Sequence, residues 1–376
     1  MKVLVGLSGG VDSAVAAYLL KEQGYEVSCC YMRNWDSALN NDTLGNPTLL
    51  DPVCPQEKDF QDAQRTADQL GLPLYRVDYI REYWDDVFRN FVEEYQKGRT
   101  PNPDILCNKY IKFSAFLHYA EAHGFPMIAT GHYLKREGDR FFKADDRNKD
   151  QSYFLAQVAA QGLKSCLFPL GTYEKPKVRK IAEELGLDIA EKKDSTGVCF
   201  IGERDFRKFL QNYIPMKPGK IVDINSGAVL GEHEGVYYYT LGQRKGFHVG
   251  GEDGPYYCVG KDVEKNILYL ASYKDDTFLY SDSALISSLN WIRRPQEGEL
   301  QVKFRYRQPD QQVTLQYLEN GDVLLRYPQG CKAVTPGQQA VFYKDDELLG
   351  GGVIEHTYTK GIEQQQLLQE KASRHV

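Results

Sequence analysis

The sequence predicts an α/β domain with a parallel sheet, followed by two small, mostly β domains. Up to about residue 202, short apolar strands alternate with segments whose apolar residues recur at helical spacing. From Pro215 the apolar residues alternate with period two between frequent glycine turns, which indicates β structure. A chain of 376 residues is also too long for one compact core. We therefore expect domains at 1–202, 203–280 and 281–360, with a flexible, glutamine-rich tail over 361–376.

The first strand and the turn after it carry the strongest functional signal. Lys2 to Leu7 is short, apolar and β-branched, as expected of a buried strand, and a helical spacing of apolar residues runs from Val11 to Gly24. Between them, Ser8-Gly9-Gly10 turns the chain without Cβ crowding. A strand, a glycine turn and a helix present backbone N–H groups and a positive helix end to an anion, so we expect a phosphate site here.

This turn differs from a Walker A loop, because no lysine follows its glycines. Instead Asp12 lies beside the expected phosphate, where a metal ion or a helix N-terminus would have to accommodate its charge. The pattern Ser-Gly-Gly-x-Asp-Ser over residues 8–13 resembles the pyrophosphate loop of the ATP pyrophosphatases. Those enzymes cleave ATP between the α and β phosphates and move AMP onto an oxygen. The alternative is an ordinary strand-to-helix turn, and the motif by itself does not name an acceptor.

Composition and cysteine spacing exclude several classes of protein. The net charge of −6 gives no overall attraction to nucleic acid, so any RNA surface must be local. The eight cysteines are scattered, with no C-x-x-C and no zinc spacing. No apolar run is long enough to cross a membrane, and no signal or transit peptide is visible. We expect a cytoplasmic protein with single catalytic cysteines, no metal site and no membrane partner.

Coarser patterns predict the remaining elements. Predicted strands cover Glu26–Tyr31, Leu74–Val77 and Met127–Thr130, and a hairpin covers Tyr133–Ala144. Predicted helices cover Phe60–Leu70, Ile80–Gln96, Lys109–Ala122, Lys175–Leu185 and Arg204–Tyr213. Val302–Arg307 is the clearest alternating strand of the last domain. The stretch Arg33–Lys58 has no period, which indicates a functional flap or a disordered insert.

Two cysteines lie next to turn residues rather than on apolar stripes. Cys107 follows the stiff, proline-containing loop 98–104 near a helix N-terminus, whose positive end can lower a thiol pKa. Cys199 lies 92 residues later in a polar loop. Taken singly, a cysteine is more often an inert small hydrophobe. Beside a loop that adenylates an oxygen, however, one thiol could carry a persulfide sulfur and the other could resolve it as a disulfide.

Taken together, these motifs resemble the tRNA-specific 2-thiouridylases over nearly the whole chain. Seven motifs carry the resemblance: Gly6–Ser13, Gly98–Asp104, Ile105–Asn108, Ala129–His132, Asn148–Phe154, Asp194–Gly202 and Leu241–Gly246. The resemblance implies an N-terminal domain like that of the adenine-nucleotide alpha hydrolases and a last domain that is a β-barrel. The long loop before Phe60 is the main departure from the family pattern.

The resemblance also implies roles for individual residues. ATP would be held by Gly6, Leu7, Ser8, Gly9, Gly10, Val11, Asp12, Ser13, Met32 and Gly131. The target uridine would meet Asn102, Pro103 and Asp104, with Asp104 as a proton acceptor or a group beside Mg²⁺. Cys199 would carry the persulfide, and Cys107 would act as an acid/base group or as the resolving thiol. Contacts to tRNA would come from Lys149, Asp150, Gln151, Arg305 and Tyr306.

The implied reaction is ATP-dependent 2-thiolation of a wobble uridine. ATP with Mg²⁺ would be a substrate, no prosthetic group would be needed, and the tRNAs would be those for lysine, glutamate and glutamine. The sulfur would come from a cysteine desulfurase or a sulfur-relay protein. Two alternatives stay open: another adenylating enzyme such as a ligase-type synthetase, which needs no paired cysteines, or a nucleotide-gated RNA-binding module without turnover.

Overall fold

A computed structural model describes residues 1–194, 201–249 and 255–374. Its N-terminal part contains seven strands: β1 (Lys2–Gly6), β2 (Glu26–Arg33), β3 (Leu74–Asp78), β4 (Met127–Ala129), β5 (Leu134–Glu137), β6 (Arg140–Lys143) and β7 (Cys166–Leu167). Five of them form a parallel sheet in the order β3-β2-β1-β4-β7. Strands β5 and β6 form the expected hairpin. The predicted parallel α/β domain is therefore confirmed.

Helices cover this sheet. They are α1 (Val11–Glu22), α2 (Pro55–Leu70), α3 (Ile80–Tyr83), α4 (Arg89–Gln96), α5 (Pro103–Leu106), α6 (Phe116–Ala122), α7 (Ala160–Lys164) and α8 (Lys175–Glu184). A π-helical turn over Trp84–Phe88 joins α3 to α4, and a second π-helical segment over Cys107–Ala115 joins α5 to α6. The second of these long segments thus begins at Pro103, several residues earlier than the apolar periodicity predicts, because proline is accommodated at a helix start.

Strand order places a ligand crevice at the end of β1. The neighbours of β1 are β2 on one side and β4 on the other, so the chain leaves the sheet in opposite directions at this point. In open parallel sheets, ligands bind outside the carboxyl ends of the strands at such a switch. Val3, Leu4 and Val5 are fully buried and fix β1 in the core. The turn at residues 8–10 therefore lies where a nucleotide site is expected.

The stretch after β2 is ordered by distant partners. The carboxylate of Asp42, which is fully buried, pairs with Arg204 at 2.7 Å and accepts a hydrogen bond from the indole of Trp35. Asn212 accepts hydrogen bonds from the amides of Thr43 and Leu44. The disordered alternative for 33–58 is therefore wrong, and α2 already begins at Pro55. These partners lie about 160 residues downstream, so no local pattern shows them.

The central domain follows helix α9 (Phe206–Gln211). Its strands are β8 (Gly219–Asp223), β9 (Val229–His233), β10 (Tyr256–Asp262) and β11 (Ile267–Ser272). They form one sheet in the order β10-β11-β8-β9, in which only the β8–β11 pair is parallel among the described residues.

The last domain is a closed six-stranded barrel, as predicted. Its strands are β12 (Tyr280–Trp291), β13 (Gly298–Lys303), β14 (Gln311–Tyr317), β15 (Val323–Lys332), β16 (Gln339–Lys344) and β17 (Glu347–Thr359). Pairing of β12 with β17 closes the barrel, and a short β18 (Ile362–Glu363) extends β17. Strand β6 of the N-terminal hairpin also pairs with β17, at Phe142 and Glu347. The first domain thus extends the sheet of the last.

Two predictions in the last domain are wrong. Strand β13 ends at Lys303, and residues 304–307 form a turn, so alternation of polar and apolar residues overestimates this strand. The tail predicted to be flexible contains helix α10 (Gln364–Ser373). Leu368 is 2% exposed and packs against Gly260, where an added Cβ would lie 2.2 Å from the leucine side chain. The helix depends on this tertiary contact, which the glutamine-rich sequence does not reveal.

Within the described ranges, no helix is both long and apolar enough to span a membrane.

Candidate active site

Ser8 to Ser13 folds into a compact loop at the carboxyl end of β1. The Ser13 hydroxyl accepts a hydrogen bond from the Ser8 amide and donates one to the Gly10 carbonyl, each at 3.1 Å. Gly9 has φ +74°, and a Cβ there would lie 2.3 Å from the carbonyl oxygen of Asp59. Glycine is therefore required at position 9 for both its conformation and its space. The loop holds its shape through its own contacts.

The loop opens onto the N-terminus of α1, as the sequence predicts. The cap residue is Gly10, which has no side chain with which to satisfy the first amides of this twelve-residue helix. Gly131 lies against the same helix end, because a Cβ on it would be 2.8 Å from the Ser13 amide nitrogen. Met32 lies under the loop, with its Cε 3.1 Å from the Cβ position of Gly6. The structure thus brings together the residues predicted to hold ATP.

Asp12 has partners that the sequence analysis missed. Its Oδ1 accepts hydrogen bonds from the Lys175 ammonium and the Tyr133 hydroxyl, both at 2.7 Å. Burial and the Asp12 charge raise the pKa of Tyr133, which keeps its hydroxyl protonated as a donor. The lysine that follows the glycines in a Walker A loop is absent here, but α8 supplies one from another part of the chain.

Asp194 gathers three cations beside the loop. Its carboxylate pairs with Lys149 at 2.5 Å, Lys175 at 2.7 Å and Arg179 at 2.8 Å. Burial alone would raise the pKa of Asp194, but hydrogen bonds from Lys149 and Lys175 outweigh it and lower the pKa to about 2. Asp194 is therefore ionised at neutral pH and neutralises part of this cationic group.

A second lysine holds the loop from the side of α2. The Lys192 ammonium donates to the Gly9 carbonyl at 3.0 Å and pairs with Asp59 at 2.8 Å and Asp62 at 2.6 Å. Burial lowers the pKa of Lys192, yet the two carboxylates reverse the effect and leave the pKa above its ordinary value. The cation thus fixes the glycine turn to α2.

One physical signal could have found Lys175. It is the first residue of α8 and is 7% exposed. A cation at a helix N-terminus faces the positive end of the helix dipole, so a buried lysine there needs an anionic partner. The predicted helix start at Lys175 therefore contained the clue, although it did not identify Asp12 and Asp194.

The segment predicted to meet the target base begins a long helical stretch. The Asn102 side chain caps α5 by accepting a hydrogen bond from the Asp104 amide at 3.1 Å. Pro103 is the first helical residue, and Asp104 is half-buried. Cys107 follows at the start of the π-helical segment and is fully buried. Asp104 and Cys107 therefore lie on one rigid element next to the capped end.

This helical stretch contacts the segment that follows β4 and the turn at Phe154. The Phe113 ring lies 5.6 Å from the His132 ring, and the Asn108 amide donates to the Phe154 carbonyl at 3.1 Å. Burial and the Lys112 charge lower the pKa of His132 well below its ordinary value. Its imidazole is therefore neutral in this apolar setting.

Residues predicted to contact tRNA all have partners within the protein. Lys149 pairs with Asp194, the 3%-exposed Asp150 accepts hydrogen bonds from Ala144 and Ser152, and Gln151 accepts one from the Tyr133 amide.

The second predicted group, Arg305 and Tyr306, lies in the turn after β13. Arg305 donates to the Leu241 carbonyl and the Thr335 hydroxyl, and the Tyr306 ring lies 4.4 Å from Phe154. Tyr306 thus contacts Phe154, which lies three residues after Gln151, and the contact of both groups with tRNA stays a prediction.

Cys199 and its pairing with Cys107 lie outside the described residues.

Comparison with known proteins now places the chain. The domain families that match are a tRNA methyl transferase HUP domain over residues 1–203, a tRNA methyl transferase PRC-barrel domain over 207–272 and an aminomethyltransferase beta-barrel domain over 281–354. A tRNA-specific 2-thiouridylase of Mycoplasmopsis pulmonis is 54% identical over 359 residues, which cover 95% of this chain and 97% of the relative. The chain belongs to the tRNA-specific 2-thiouridylase family. The 2-thiouridylase of Acholeplasma laidlawii is 49% identical over 96% of this chain and 98% of its own.

This membership confirms the resemblance read from the seven motifs. A solved 4-thiouridine synthetase–RNA complex with bound ATP aligns with 54% of this chain and 46% of its own, at 14% identity and a TM-score of 0.32, which is too distant to support an argument. The HUP domain family covers residues 1–203, which include the loop at residues 6–13, and the ATP site at that loop stays a prediction.

Proposed function

We propose that this chain catalyses ATP-dependent 2-thiolation of the wobble uridine of tRNA. The observation that carries the proposal is the near full-length match to proteins named tRNA-specific 2-thiouridylases. The geometry supports it, because a loop suited to phosphate lies at the switch point of the sheet. Gly131 lies against this loop, and the next residue, His132, contacts Phe113 in the segment that begins at Cys107. The expected substrates are the tRNAs for lysine, glutamate and glutamine. We expect the enzyme to act on them in the cytoplasm.

The first step we propose is adenylation. The uridine O2 attacks the α-phosphorus of ATP, an O–P bond forms, and the bond to the β-phosphate oxygen breaks to release pyrophosphate. The amides at the start of α1 and the hydroxyls of Ser8 and Ser13 would bind the phosphates, since donors at a helix N-terminus favour negative charge. Lys175 would add a cation from the other side of the loop. Adenylation turns the uracil oxygen, a poor leaving group, into a phosphate ester.

Mg²⁺ would enter with ATP as part of the substrate. Mg²⁺ usually keeps several waters and binds one or two carboxylates together with phosphate oxygens. Asp12 fits this demand, because its side chain lies beside the loop and the hydrogen bonds from Lys175 and Tyr133 both go to the same oxygen, Oδ1. In the described part of the chain no cluster of three or more acidic, histidine or cysteine residues forms a protein-only metal site.

The second step we propose is sulfur transfer. The terminal sulfur of a Cys199 persulfide attacks C2, and the C2–O bond breaks to release AMP. If Cys107 is the resolving thiol, its sulfur attacks the Cys199 sulfur, the persulfide S–S bond breaks, and 2-thiouridine leaves with a Cys107–Cys199 disulfide. A cellular thiol must then reduce that disulfide, and a cysteine desulfurase or relay protein must reload Cys199. If Cys107 instead moves a proton, a cellular thiol must attack the Cys199 sulfur, which breaks the persulfide S–S bond and releases 2-thiouridine without a Cys107–Cys199 disulfide.

Nucleoside mass spectrometry tests this function. Unmodified glutamate tRNA, ATP, Mg²⁺ and a cysteine desulfurase with cysteine, as the source of persulfide sulfur, are incubated with the protein, and the RNA is digested. We expect a uridine that has gained sulfur in place of oxygen, only when ATP is present. Pyrophosphate release without thiolation would contradict the proposal and favour a different acceptor chemistry. Binding of tRNA with no pyrophosphate release would instead indicate an RNA-binding module.

A further inference from the structure

Arg99 lies where the first domain meets the barrel. Its guanidinium pairs with Glu355 of β17 at 2.5 Å and with Glu94 of α4 at 2.6 Å, and it donates to the Ile354 carbonyl at 3.3 Å. The side chain of Arg99 is 20% exposed, and that of Glu355 is 25% exposed. Ser287 of β12 donates to the other oxygen of Glu355. One cation thus ties the end of α4 to two adjacent strands of the barrel.

Thr100 extends this junction through its backbone. Its amide donates to the Pro336 carbonyl at 3.0 Å, and its carbonyl accepts from the Gln338 side chain at 2.7 Å. Its hydroxyl is 3.4 Å from that of Thr240 in the central domain. Gly337 has φ +91°, and a Cβ there would lie 2.8 Å from the Thr100 nitrogen. The barrel therefore holds both backbone groups of Thr100 and has the glycine needed to approach it.

The segment between this junction and the residues proposed to meet uridine has little conformational freedom. Pro101 and Pro103 each fix φ near one value. Between them, Asn102 caps the helix through the Asp104 amide. A shift at Arg99 or Thr100 is therefore transmitted to Asn102 and Asp104 rather than absorbed by a flexible linker.

We propose that Arg99 and Glu355 are positioning residues, which set the loop Asn102–Asp104 against the barrel so that the target uridine meets it in the reactive geometry. This proposal rests on the function proposed above, since it assumes that this loop receives the base. Neither side chain needs to touch tRNA. Their effect is on placement, so it should appear in the rate of the chemical step more than in tRNA affinity.

A second ion pair joins the same two domains away from this loop. Glu347 of β17 is 2% exposed and pairs with Arg140 of β6 at 2.6 Å and with Arg293 beyond β12. Like the Arg99–Glu355 pair, this pair joins an arginine of the first domain to a glutamate of β17 in the barrel. It differs in lying on the hairpin edge, so Glu347→Gln is a matched control for Glu355→Gln.

Hydrogen exchange gives a test that needs no activity. In the full-length protein without substrates, we expect Glu355→Gln to speed amide exchange of residues 99–106 about tenfold relative to wild type. Glu347→Gln should leave this peptide unchanged, and Arg99→Lys should give a smaller increase than Arg99→Gln. Equal exchange of residues 99–106 in wild type and Glu355→Gln would overturn the proposal, whether or not the wild type thiolates tRNA.

Steady-state thiolation then separates positioning from general loss of structure. For Glu355→Gln we expect kcat to fall about tenfold or more, while KM for tRNA changes by less than about threefold. Equilibrium binding of ATP should stay at the wild-type level. A fall in kcat matched by Glu347→Gln, or explained by a lower folded fraction in thermal unfolding, would contradict a positioning role. If wild type itself fails to thiolate, the proposed function fails, and hydrogen exchange still decides whether Glu355 sets the loop.

Discussion

The loop proposed to bind phosphate, Ser8–Ser13, and the loop proposed to meet uridine, residues 98–104, are stabilised in opposite ways. The loop Ser8–Ser13 depends on contacts within the first domain: its own serines, Gly131, and a group of alternating charges that includes Lys175 and Asp194. The loop 98–104 depends on the barrel, whose Pro336, Gln338 and Glu355 are more than 200 residues away. ATP binding should therefore survive damage to the sulfur-transfer half of the reaction, whereas uridine placement should depend on the whole chain. Four predictions test this separation.

The largest effect is expected at Cys199. We expect Cys199→Ser to abolish thiolation, because serine cannot carry a persulfide, while ATP binding stays at the wild-type level. Nucleoside mass spectrometry measures thiolation, and an equilibrium binding assay measures the affinity for ATP. A mutant that thiolates at the normal rate would remove Cys199 from the mechanism, and a mutant that loses ATP binding would show that the halves are not separable.

The next effect concerns the lysine supplied by α8. We expect Lys175→Met to raise KM for ATP by about 10–100-fold, because a charge-assisted contact to phosphate contributes about 1.5–3 kcal/mol. Lys180→Met is the matched control on the same helix, since the Lys180 side chain is 73% exposed and pairs only loosely, at 3.6 Å, with Glu184. The rate of pyrophosphate release at increasing ATP concentration gives KM for both variants. Equal values of KM for the two variants would show that Lys175 is only a structural partner of Asp12.

A smaller effect is expected from filling the space at Gly131. Gly131→Ala places a Cβ 2.8 Å from the Ser13 nitrogen and 2.9 Å from the Asp12 carbonyl carbon, both backbone atoms of the loop and helix end. We expect a loss of about 1–3 kcal/mol in the free energy of unfolding and weaker ATP binding. Gly231→Ala is the control, because its nearest neighbour would be a valine methyl at 3.5 Å. Urea unfolding measures the free energy of unfolding of both variants. An equal loss for Gly131→Ala and Gly231→Ala would contradict the steric clash proposed at Gly131.

The smallest effect is the pH dependence of Asp194. Its pKa is about 2 in the folded protein against an ordinary value of 3.8, so its pairing stabilises the fold above pH 3.8 and is lost as pH falls towards 2. The side chain is 34% exposed, so we discount the effect to about 1 kcal/mol.

Asp194→Asn should therefore unfold more easily than wild type at pH 6, and the gap should close on acidification. The denaturant midpoints of Asp194→Asn and wild type, compared at pH 6 and at a pH near 2, measure this gap. A gap that widens as pH falls would contradict the sign of the argument.

Structure held by neighbouring residues could be predicted from the sequence, whereas structure held by distant residues could not. Gly9, Gly10 and Ser13 are neighbours in the chain, so the local pattern is enough to predict the strand, turn and helix that the structure shows there. For Lys175 the sequence shows a cation at a helix start, which favours an anionic partner, whereas its burial and its partners come from the structure. The pairing of Arg99 with Glu355, by contrast, joins residues with no local pattern in common.

Packing between domains also explains the wrong predictions. Helix α10 and the stretch after β2 are ordered by Gly260 and Arg204, which lie far away in the sequence. The division at residues 202, 280 and 360 stays a proposal, since strand β6 of the first domain pairs with β17 of the last.

The central claim is that the uridine C2 oxygen is adenylated in the loop at residues 8–13 before sulfur replaces it. The most direct measurement uses tRNA whose target uridine carries a heavy-oxygen label at O2. After one turnover with ATP and a sulfur source, AMP is isolated and weighed by mass spectrometry. The account predicts that the label leaves the tRNA in the phosphate of AMP. Thiolated tRNA accompanied by unlabelled AMP would contradict it, because the C2–O bond would then have broken without passing through an adenylate.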